Sequence, residues 1–117
     1  MAAPLVFKDL LQGRFDPEQI NWQPFRPGVE IARLYGGAPD EASAALLRYE
    51  PNARVPRHIH HGYEHILVLS GSQRDEHRTY TAGTMVISAP GSEHAISSEE
   101  GCVVLAIWER PVEIVES

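Results

Sequence analysis

The segment "PRHIHHGYEHILVLSG", residues 56–71, contains four of the chain's six histidines within eight positions. They stand next to a glutamate and directly before one of the most apolar runs of the chain. In an extended strand alternate side chains share a face, so His58 and His60 point the same way, with Cα atoms roughly 6.6 Å apart. Ile59 takes the opposite face. The two imidazoles are therefore placed to converge on one ion.

Two further residues extend this pair. The "HGY" connection is predicted to reverse the chain and bring Glu64 beside the same face. Further along, Gly83 and Gly91 bracket a strand, and His94 follows a tight "APGS" turn where the chain re-enters the sheet. Three neutral imidazoles and one carboxylate suit a divalent transition metal such as zinc, iron, manganese, nickel or copper, whereas magnesium and calcium prefer all-oxygen sites. The predicted metal ligands are His58, His60, Glu64 and His94.

The remaining histidines are not expected at this site. By strand parity His61 and His65 point away from the predicted ion, and His77 lies in the polar segment "DEHRTY", where we expect it to be solvated. The histidine count alone therefore overstates the number of ligands.

The strand pattern begins after a proline-rich lead-in. Residues 1–27 contain four prolines and are predicted to form a partly extended N-terminal arm, with one helical turn at "DPEQI". Residues 28–117 show short apolar and β-branched runs separated by turn signals such as "GGAPDE", "SGSQRDE" and "SSEEG", a pattern typical of a β sandwich or barrel. A chain of 117 residues suits one all-β domain.

Two of these runs are apolar on both faces. "ILVLS" from Ile66 and "CVVLAIW" from Cys102 lack the alternation expected of a strand with one solvated face. Something must therefore cover their outer side, either the N-terminal segment or a second copy of the chain. On this basis we predict a homodimer.

Composition excludes several classes of protein. A formal charge of -6, without a basic stripe, argues against nucleic-acid binding. The single cysteine, Cys102, excludes an internal disulfide and paired-cysteine zinc motifs, and it favours a reducing, cytoplasmic setting. The first 13 residues lack the uninterrupted apolar stretch of a signal peptide or membrane span. We therefore expect a cytoplasmic protein that contacts neither nucleic acid nor membrane.

The pattern of histidines and glycines resembles the two motifs of the cupin superfamily. The first motif is matched by His58, His60, Glu64 and Gly71, with Asn52 in place of its leading glycine. The second is matched by Gly83, Gly91 and His94, with Ala89 in place of its proline and Ser98 in place of its asparagine. Asparagine tolerates a left-handed backbone better than most residues. The resemblance implies a double-stranded β-helix, the jelly-roll barrel of cupins, with the four predicted ligands at one ion.

Within the cupins the chain is similar to the ChrR-type cupin domain, over roughly residues 22–109. In those anti-sigma factors the cupin, which also binds zinc, follows a separate zinc-binding domain with its own His and Cys ligands. With a single cysteine, this chain is expected to be a stand-alone cupin without direct anti-sigma activity. Zinc or iron is the expected metal, with manganese or nickel as further candidates.

Two functions remain open at this stage. The resemblance to cupin dioxygenases that cleave diketone-like compounds implies a metal-dependent, dioxygenase-like enzyme acting on a small organic molecule. The ChrR likeness implies instead a non-catalytic sensor or binding module that responds to a small ligand or to oxidative stress. A purely structural ion is a third alternative. No catalytic acid or base is assigned.

Several other residues invite an interpretation. Arg48 interrupts an apolar strand, and either reaches into the cavity to hold an anionic group or pairs at the rim with Glu50 or another acid. Trp22 and Trp108 are expected in the core or an interface. Cys102 is interpreted as a small buried hydrophobe.

Overall fold

A computed structural model describes residues 3–116. In this part of the chain all regular structure is extended, apart from one 3-10 turn at Leu10–Gln12. The strands are β1 (Gln23–Arg26), β2 (Val29–Tyr35), β3 (Ser43–Tyr49), β4 (Ala53–Ile59), β5 (Glu64–Arg74), β6 (Thr79–Thr81), β7 (Met85–Ser88), β8 (Glu93–Ser98), β9 (Cys102–Trp108) and β10 (Glu113–Ile114). The predicted all-β class is confirmed.

The strands form one curled, antiparallel sheet in the order β1-β2-β3-β9-β5-β8-β4-β10. β5 joins its two halves, because it pairs with β9 and β7 near its start and with β6 near its end. A single residue pair, Arg74 with Ser97, then connects β5 to β8. The two halves fold over a shared interior, as the predicted cupin barrel requires.

The connection after β4 differs from the reversal that we expected. β4 pairs with β8 and β10, and not with β5. Residues 60–63 therefore carry the chain from one half of the barrel to the other. As a result Glu64 reaches the histidines across the interior rather than along a shared ladder.

The inner core lies between the two halves. Val68, Val104 and Ala106 are fully buried there, and they pack with apolar side chains of the neighbouring strands. Burial alternates along β8 and β9 with the period of two expected for strands, whereas β3 is buried on both faces.

The outer face of the central strands is covered by the N-terminal segment. Leu46 and Leu69 on this face pack against the buried Ile20. Further side chains from before the first strand complete this outer cluster: Phe7, Leu10, Phe15 and Trp22. Of the two covers that the sequence allowed, the structure shows this one, within residues 3–116.

A single turn orders the middle of that segment. The Oδ1 atom of Asp16 accepts a hydrogen bond from the backbone N–H of Glu18 at 2.9 Å. The Asp16 carbonyl accepts one from Ile20 at 2.8 Å. Asp16 therefore caps the turn as predicted, and the turn directs Ile20 inward. β1 pairs with β2, and the division into an arm and a barrel at residue 27 stays a prediction.

Four positions matched to the cupin motifs have a positive φ: Asn52, Gly71, Gly83 and Gly91. The first two show which residues such positions admit. Asn52 has a φ of 69°, which asparagine tolerates better than most residues. Gly71 has a φ of 71°, and a Cβ added there would lie 2.0 Å from the carbonyl oxygen of Gly101. Asparagine can therefore replace the first glycine, but no side chain fits at the second.

Candidate metal centre

Three strands and one turn bring the predicted ligands together. His58 in β4 lies directly opposite His94 in β8, and Glu64 is the first residue of β5. His60 follows β4 and is held by two backbone hydrogen bonds, from its N–H to the Ser92 carbonyl at 2.9 Å and from the Gly91 N–H to its own carbonyl at 2.8 Å. The glycine turn of the second motif thus positions a histidine of the first.

The four side chains form one buried cluster. Each offers one nitrogen or oxygen atom, and these four atoms lie within 4.8 Å of one another. The three imidazole centroids are 4.5 to 5.2 Å apart. Metal–nitrogen bonds are about 2.1 Å long, so donor atoms around one ion lie within roughly 4.2 Å of each other. Small side-chain adjustments therefore close the set around a single ion.

Hydrogen bonds outside the cluster orient these donors. Nδ1 of His58 lies 2.9 Å from the Pro56 carbonyl oxygen, and Nδ1 of His60 lies 3.0 Å from that of Ser92. A carbonyl only accepts, so each Nδ1 carries the proton and each Nε2 keeps its lone pair. The indole N–H of Trp108 donates to Oε2 of Glu64 at 2.8 Å, which leaves Oε1 facing the histidines.

Two of the inward nitrogens lack a hydrogen-bond partner. Nε2 of His60 and Nε2 of His94 are buried, and neither makes a hydrogen bond with any of residues 3–116. An unsatisfied buried polar atom costs about 1–3 kcal/mol. Coordination of an ion by these lone pairs removes that cost. The four donor atoms, two of which have no hydrogen bond, therefore fit a divalent transition metal.

The electrostatics favour the metal-binding protonation states of His58, His94 and Glu64, but not that of His60. Burial lowers the pKa of His94 to about 4, and burial also lowers the pKa of His58. Both rings are therefore neutral at pH 7, as metal ligands must be. Burial alone would lower the pKa of His60 and raise that of Glu64. Their pairing at 3.2 Å outweighs burial, so the pKa of His60 is raised and that of Glu64 is lowered.

The cluster forms part of the wall of a cavity of about 60 Å³. Most of the remaining wall is apolar: Leu47, Val55, Ile66, Ile96, Val112 and Ile114. Polar groups come from Tyr49, Gln73 and Arg26. A ligand inside this cavity would therefore meet the cluster on one side and mostly hydrocarbon on the others.

Nothing in the sequence pattern singles out Gln73 or the role of Trp108. The pairing of β5 with β9 shifts between Val68 and Ser70, so strand parity counted from Glu64 does not reach Gln73 correctly. Trp108 packs against the inner core as expected. Its contact with Glu64 follows from the pairing of these two residues across β5 and β9, which no local pattern encodes.

The other histidines lie outside the cluster. His61 is exposed, and its Nε2 lies 2.8 Å from Oε1 of Glu113. His65 is half-buried and pairs across its neighbouring strands with Ile87 and Ile107. His77 is exposed, as predicted.

Arg48 and Cys102 contact other parts of the protein and do not belong to the ligand cluster. Arg48 pairs with Glu30 at 2.7 Å, and its guanidinium lies 4.1 Å from the ring centroid of Trp22. The predicted pairing with another acid is thus observed, with Glu30 rather than Glu50, but it lies beside Trp22 of the outer cluster and not at the cavity rim. Cys102 is buried, and burial raises the pKa of its thiol to about 11. It is a small core residue, as predicted.

Comparison with known proteins decides the family. The model of the ChrR cupin-like domain matches residues 12–111. The chain belongs to this family. A curated relative of this ChrR-like cupin is the anti-sigma-E factor ChrR of Cereibacter sphaeroides, 36% identical over 112 residues, which cover 94% of this chain and 51% of the relative. The chain therefore spans about half the length of that relative.

Solved structures agree on the fold. The anti-sigma ChrR, in its complex with Rhodobacter sphaeroides SigE, superposes with a TM-score of 0.68 at 36% identity, covering 78% of this chain and 49% of ChrR. An acetylacetone dioxygenase from Acinetobacter johnsonii has a TM-score of 0.79 at 13% identity, covering 100% of this chain and 80% of its own. The second likeness shows a shared cupin fold and nothing about activity.

Residues 3–116 contain no helix with the length and apolar character needed to span a membrane.

Proposed function

We propose that this ChrR-like cupin binds one divalent transition metal through His58, His60, Glu64 and His94. Zinc or iron is the proposed metal, with manganese and nickel as further candidates. The observation that carries the proposal is the pair of buried Nε2 atoms without hydrogen-bond partners in residues 3–116. Three imidazole nitrogens and one carboxylate oxygen are a borderline-soft set that these ions bind well.

The proposed activity is that of a metal-dependent, dioxygenase-like enzyme on a small organic molecule. A bound divalent ion supplies Lewis acidity toward ligand oxygens and, when it is iron, redox chemistry. The chain itself supplies a carboxylate held by Trp108, imidazoles held by backbone carbonyls, and apolar walls that accept a small molecule and exclude water. Around an ion that takes six ligands, the four protein donors would leave two positions for such a molecule.

A second function is favoured by a different observation. The chain is 36% identical to an anti-sigma-E factor over nearly its whole length, and that factor has been solved with a protein partner, SigE. In this alternative the chain is a sensor or binding module. A small ligand or an oxidant changes the metal site, and the N-terminal segment on the outer face passes the change to a protein partner.

Turnover of oxygen separates the two functions. Protein purified anaerobically is analysed for its metal, reloaded with iron and mixed with acetylacetone as a test diketone, while an oxygen electrode records consumption. An enzyme of the proposed class consumes many equivalents of oxygen per chain. A sensor consumes one equivalent or less. Consumption that persists in a His60→Ala variant would exclude the proposed centre as its source.

We also propose that a second copy of the chain covers the remaining outer face. The exposed apolar residues Met85, Ile87 and Ile107 lie together there, since Ile87 and Ile107 both flank His65. β7 pairs on one side with β5, and its other edge is available to the same edge of a second copy. Such antiparallel pairing is self-complementary, as a two-fold dimer requires.

The dimer is tested by light scattering during size-exclusion chromatography. The wild-type chain is expected to elute as a dimer and Ile87→Lys as a monomer, because a charge on the edge strand opposes pairing. Leu11→Lys, at an exposed position of the N-terminal segment, is the matched control and should stay dimeric. A monomeric wild-type chain would contradict the proposal.

A further inference from the structure

The geometry points to Arg26 as the residue that selects an anionic substrate: a small molecule with a carboxylate at one end and metal-binding oxygens at the other. This inference rests on the proposed metal-dependent function and names its substrate class. Two observations support the inference: Arg26 lies at the entrance to the cavity, and it has no acidic partner among residues 3–116.

Arg26 stands at the open side of the barrel. It is the last residue of β1, and β1 and β10 are the two end strands of the curled sheet. Phe25 and Arg26 line the metal cavity from one edge, and Val112 and Ile114 line it from the other. Within residues 3–116 no ladder joins these two edges, so the cavity opens to solvent between them.

An outer chamber continues this passage. It has a volume of about 280 Å³ and shares Phe25, Arg26, Trp108 and Val112 with the inner cavity. A second arginine, Arg33, also lines it. A molecule moving from solvent to the metal ligands therefore passes Arg26, which borders both spaces.

Arg26 has no acidic partner within the described chain. Among residues 3–116, ion pairs within 4.0 Å are made by Arg48, Arg57 and Arg110 but not by Arg26. Glu41 lines the outer chamber, and Glu116 lines a neighbouring groove with Arg26, yet neither forms such a pair. In a chain with a formal charge of -6, a half-buried arginine left unpaired at a cavity entrance is available to a ligand.

The field of this arginine reaches the interior. Burial raises the pKa of the Tyr49 hydroxyl, and the positive charge of Arg26 acts in the opposite direction. Tyr49 is buried in the cavity wall. A carboxylate between the entrance and the ion would therefore be stabilised by Arg26, and a guanidinium can bind it through two parallel hydrogen bonds.

The small inner volume limits what binds there. A cavity of about 60 Å³ is less than half the size of a cavity of roughly 150 Å³ that binds benzene. It has room for a metal-binding group of a few atoms, whereas the charged end of a longer molecule must lie at the entrance. The side chain that meets that end is Arg26.

Matched chelators test this assignment in cobalt-loaded protein. The probes are the monohydroxamates of succinic and glutaric acid, each with a free carboxylate, and the same compounds with that carboxylate converted to a primary amide. Binding is followed by the visible absorption of the cobalt. At least one acid should bind the wild-type protein at least about tenfold more tightly than its amide, as a charge-assisted hydrogen bond allows.

Variants show whether Arg26 causes that preference. Arg26→Gln should retain cobalt and lose the preference, and Arg26→Lys should recover part of it because the charge remains. Arg14→Gln removes an exposed arginine away from both cavities and should bind like the wild type. An equal preference in Arg26→Gln and wild type, no preference in the wild type, or loss of cobalt from Arg26→Gln would each overturn the inference. Absence of cobalt absorption in the wild type would instead refute the metal centre on which it depends.

Discussion

Among the carboxylates that accept hydrogen bonds in this fold, the protein surrounds Asp75 and Glu64 to different degrees. Asp75, after β5, accepts backbone N–H groups of His77 and Arg78 at its Oδ1 and the Tyr80 hydroxyl at its Oδ2. Glu64 accepts one such bond, from Trp108, and its other oxygen faces two imidazole nitrogens that have no hydrogen-bond partner among residues 3–116.

The number of hydrogen bonds that remain unmade distinguishes a polar cluster that stabilises the fold from one that binds a ligand. The cluster at Asp75 is complete within the chain and holds a turn between two strands. The cluster at Glu64 is more deeply buried, so each polar atom without a hydrogen bond costs more free energy there, and none of the described residues supplies the missing partner. Buried polar groups that the protein leaves unmatched are expected where a ligand completes them.

The largest expected effect tests the incomplete cluster. His60→Ala removes one of four ligands and should reduce bound metal from about one ion per chain to near zero, measured by elemental analysis. Wild-type protein should also gain about 4 kcal/mol of unfolding free energy when free metal is 1,000 times its dissociation constant, and the variant should gain almost none. His61→Ala, at the exposed neighbouring histidine, is the control and should bind metal normally. Full metal content in His60→Ala would show that the ligand set is wrong.

An intermediate effect is expected from the group that orients Glu64. Trp108→Phe keeps most of the packing but removes the indole N–H, and it should weaken metal binding about 10- to 100-fold, as loss of such outer hydrogen bonds does. Competition with a chromophoric chelator measures this change. Trp22→Phe, in the outer cluster, should leave affinity unchanged. If both variants bind alike, the hydrogen bond to Glu64 does not tune the site.

The smallest effect concerns the complete cluster. Asp75→Ala should lower the free energy of unfolding by about 1–2 kcal/mol and leave metal binding unchanged, as followed by urea denaturation and elemental analysis. Asp75→Asn, which keeps an acceptor oxygen, should cost less. A loss of metal from either variant would mean that the two clusters are coupled.

The same carboxylate gives a pH dependence of known sign. Hydrogen bonds from Tyr80 and from the N–H groups of His77 and Arg78 outweigh burial and lower the pKa of Asp75 from 3.8. Its contribution is therefore fully present above the unfolded pKa and is lost as pH falls through the lower folded value. The difference in stability between wild type and Asp75→Ala should stay constant from pH 7 to 5 and shrink below about pH 4. A difference that shrinks already near pH 6 would point to histidine instead.

Much of the site was predictable because its signals are local. The parity of one strand places His58 and His60 on one face, and the glycine turns around His94 follow a fixed spacing. Asn52 could be assigned a left-handed backbone from its chemistry alone, and the structure confirms it. Each of these inferences depends on residues within a few positions of each other.

The features that the sequence did not predict depend on contacts between distant parts of the chain. The register shift in β5 that exposes Gln73 to the cavity, the pairing that sets Trp108 against Glu64, and the end strands that place Arg26 at the entrance all arise when strands far apart in sequence meet. The acid that pairs with Arg48 was open for the same reason.

By itself the sequence determined the strand class, the face shared by His58 and His60, and the suitability of the predicted donors for a transition metal, because alternation, turn chemistry and side-chain donors act over a few residues. The tertiary structure alone decided that the N-terminal segment covers the outer face, that Trp108 orients Glu64, and that Arg26, which forms no ion pair within residues 3–116, lines the cavity. Those contacts form when the two halves of the curled sheet pack against each other. The free energy of that packing is distributed over the whole core and does not come from any one segment.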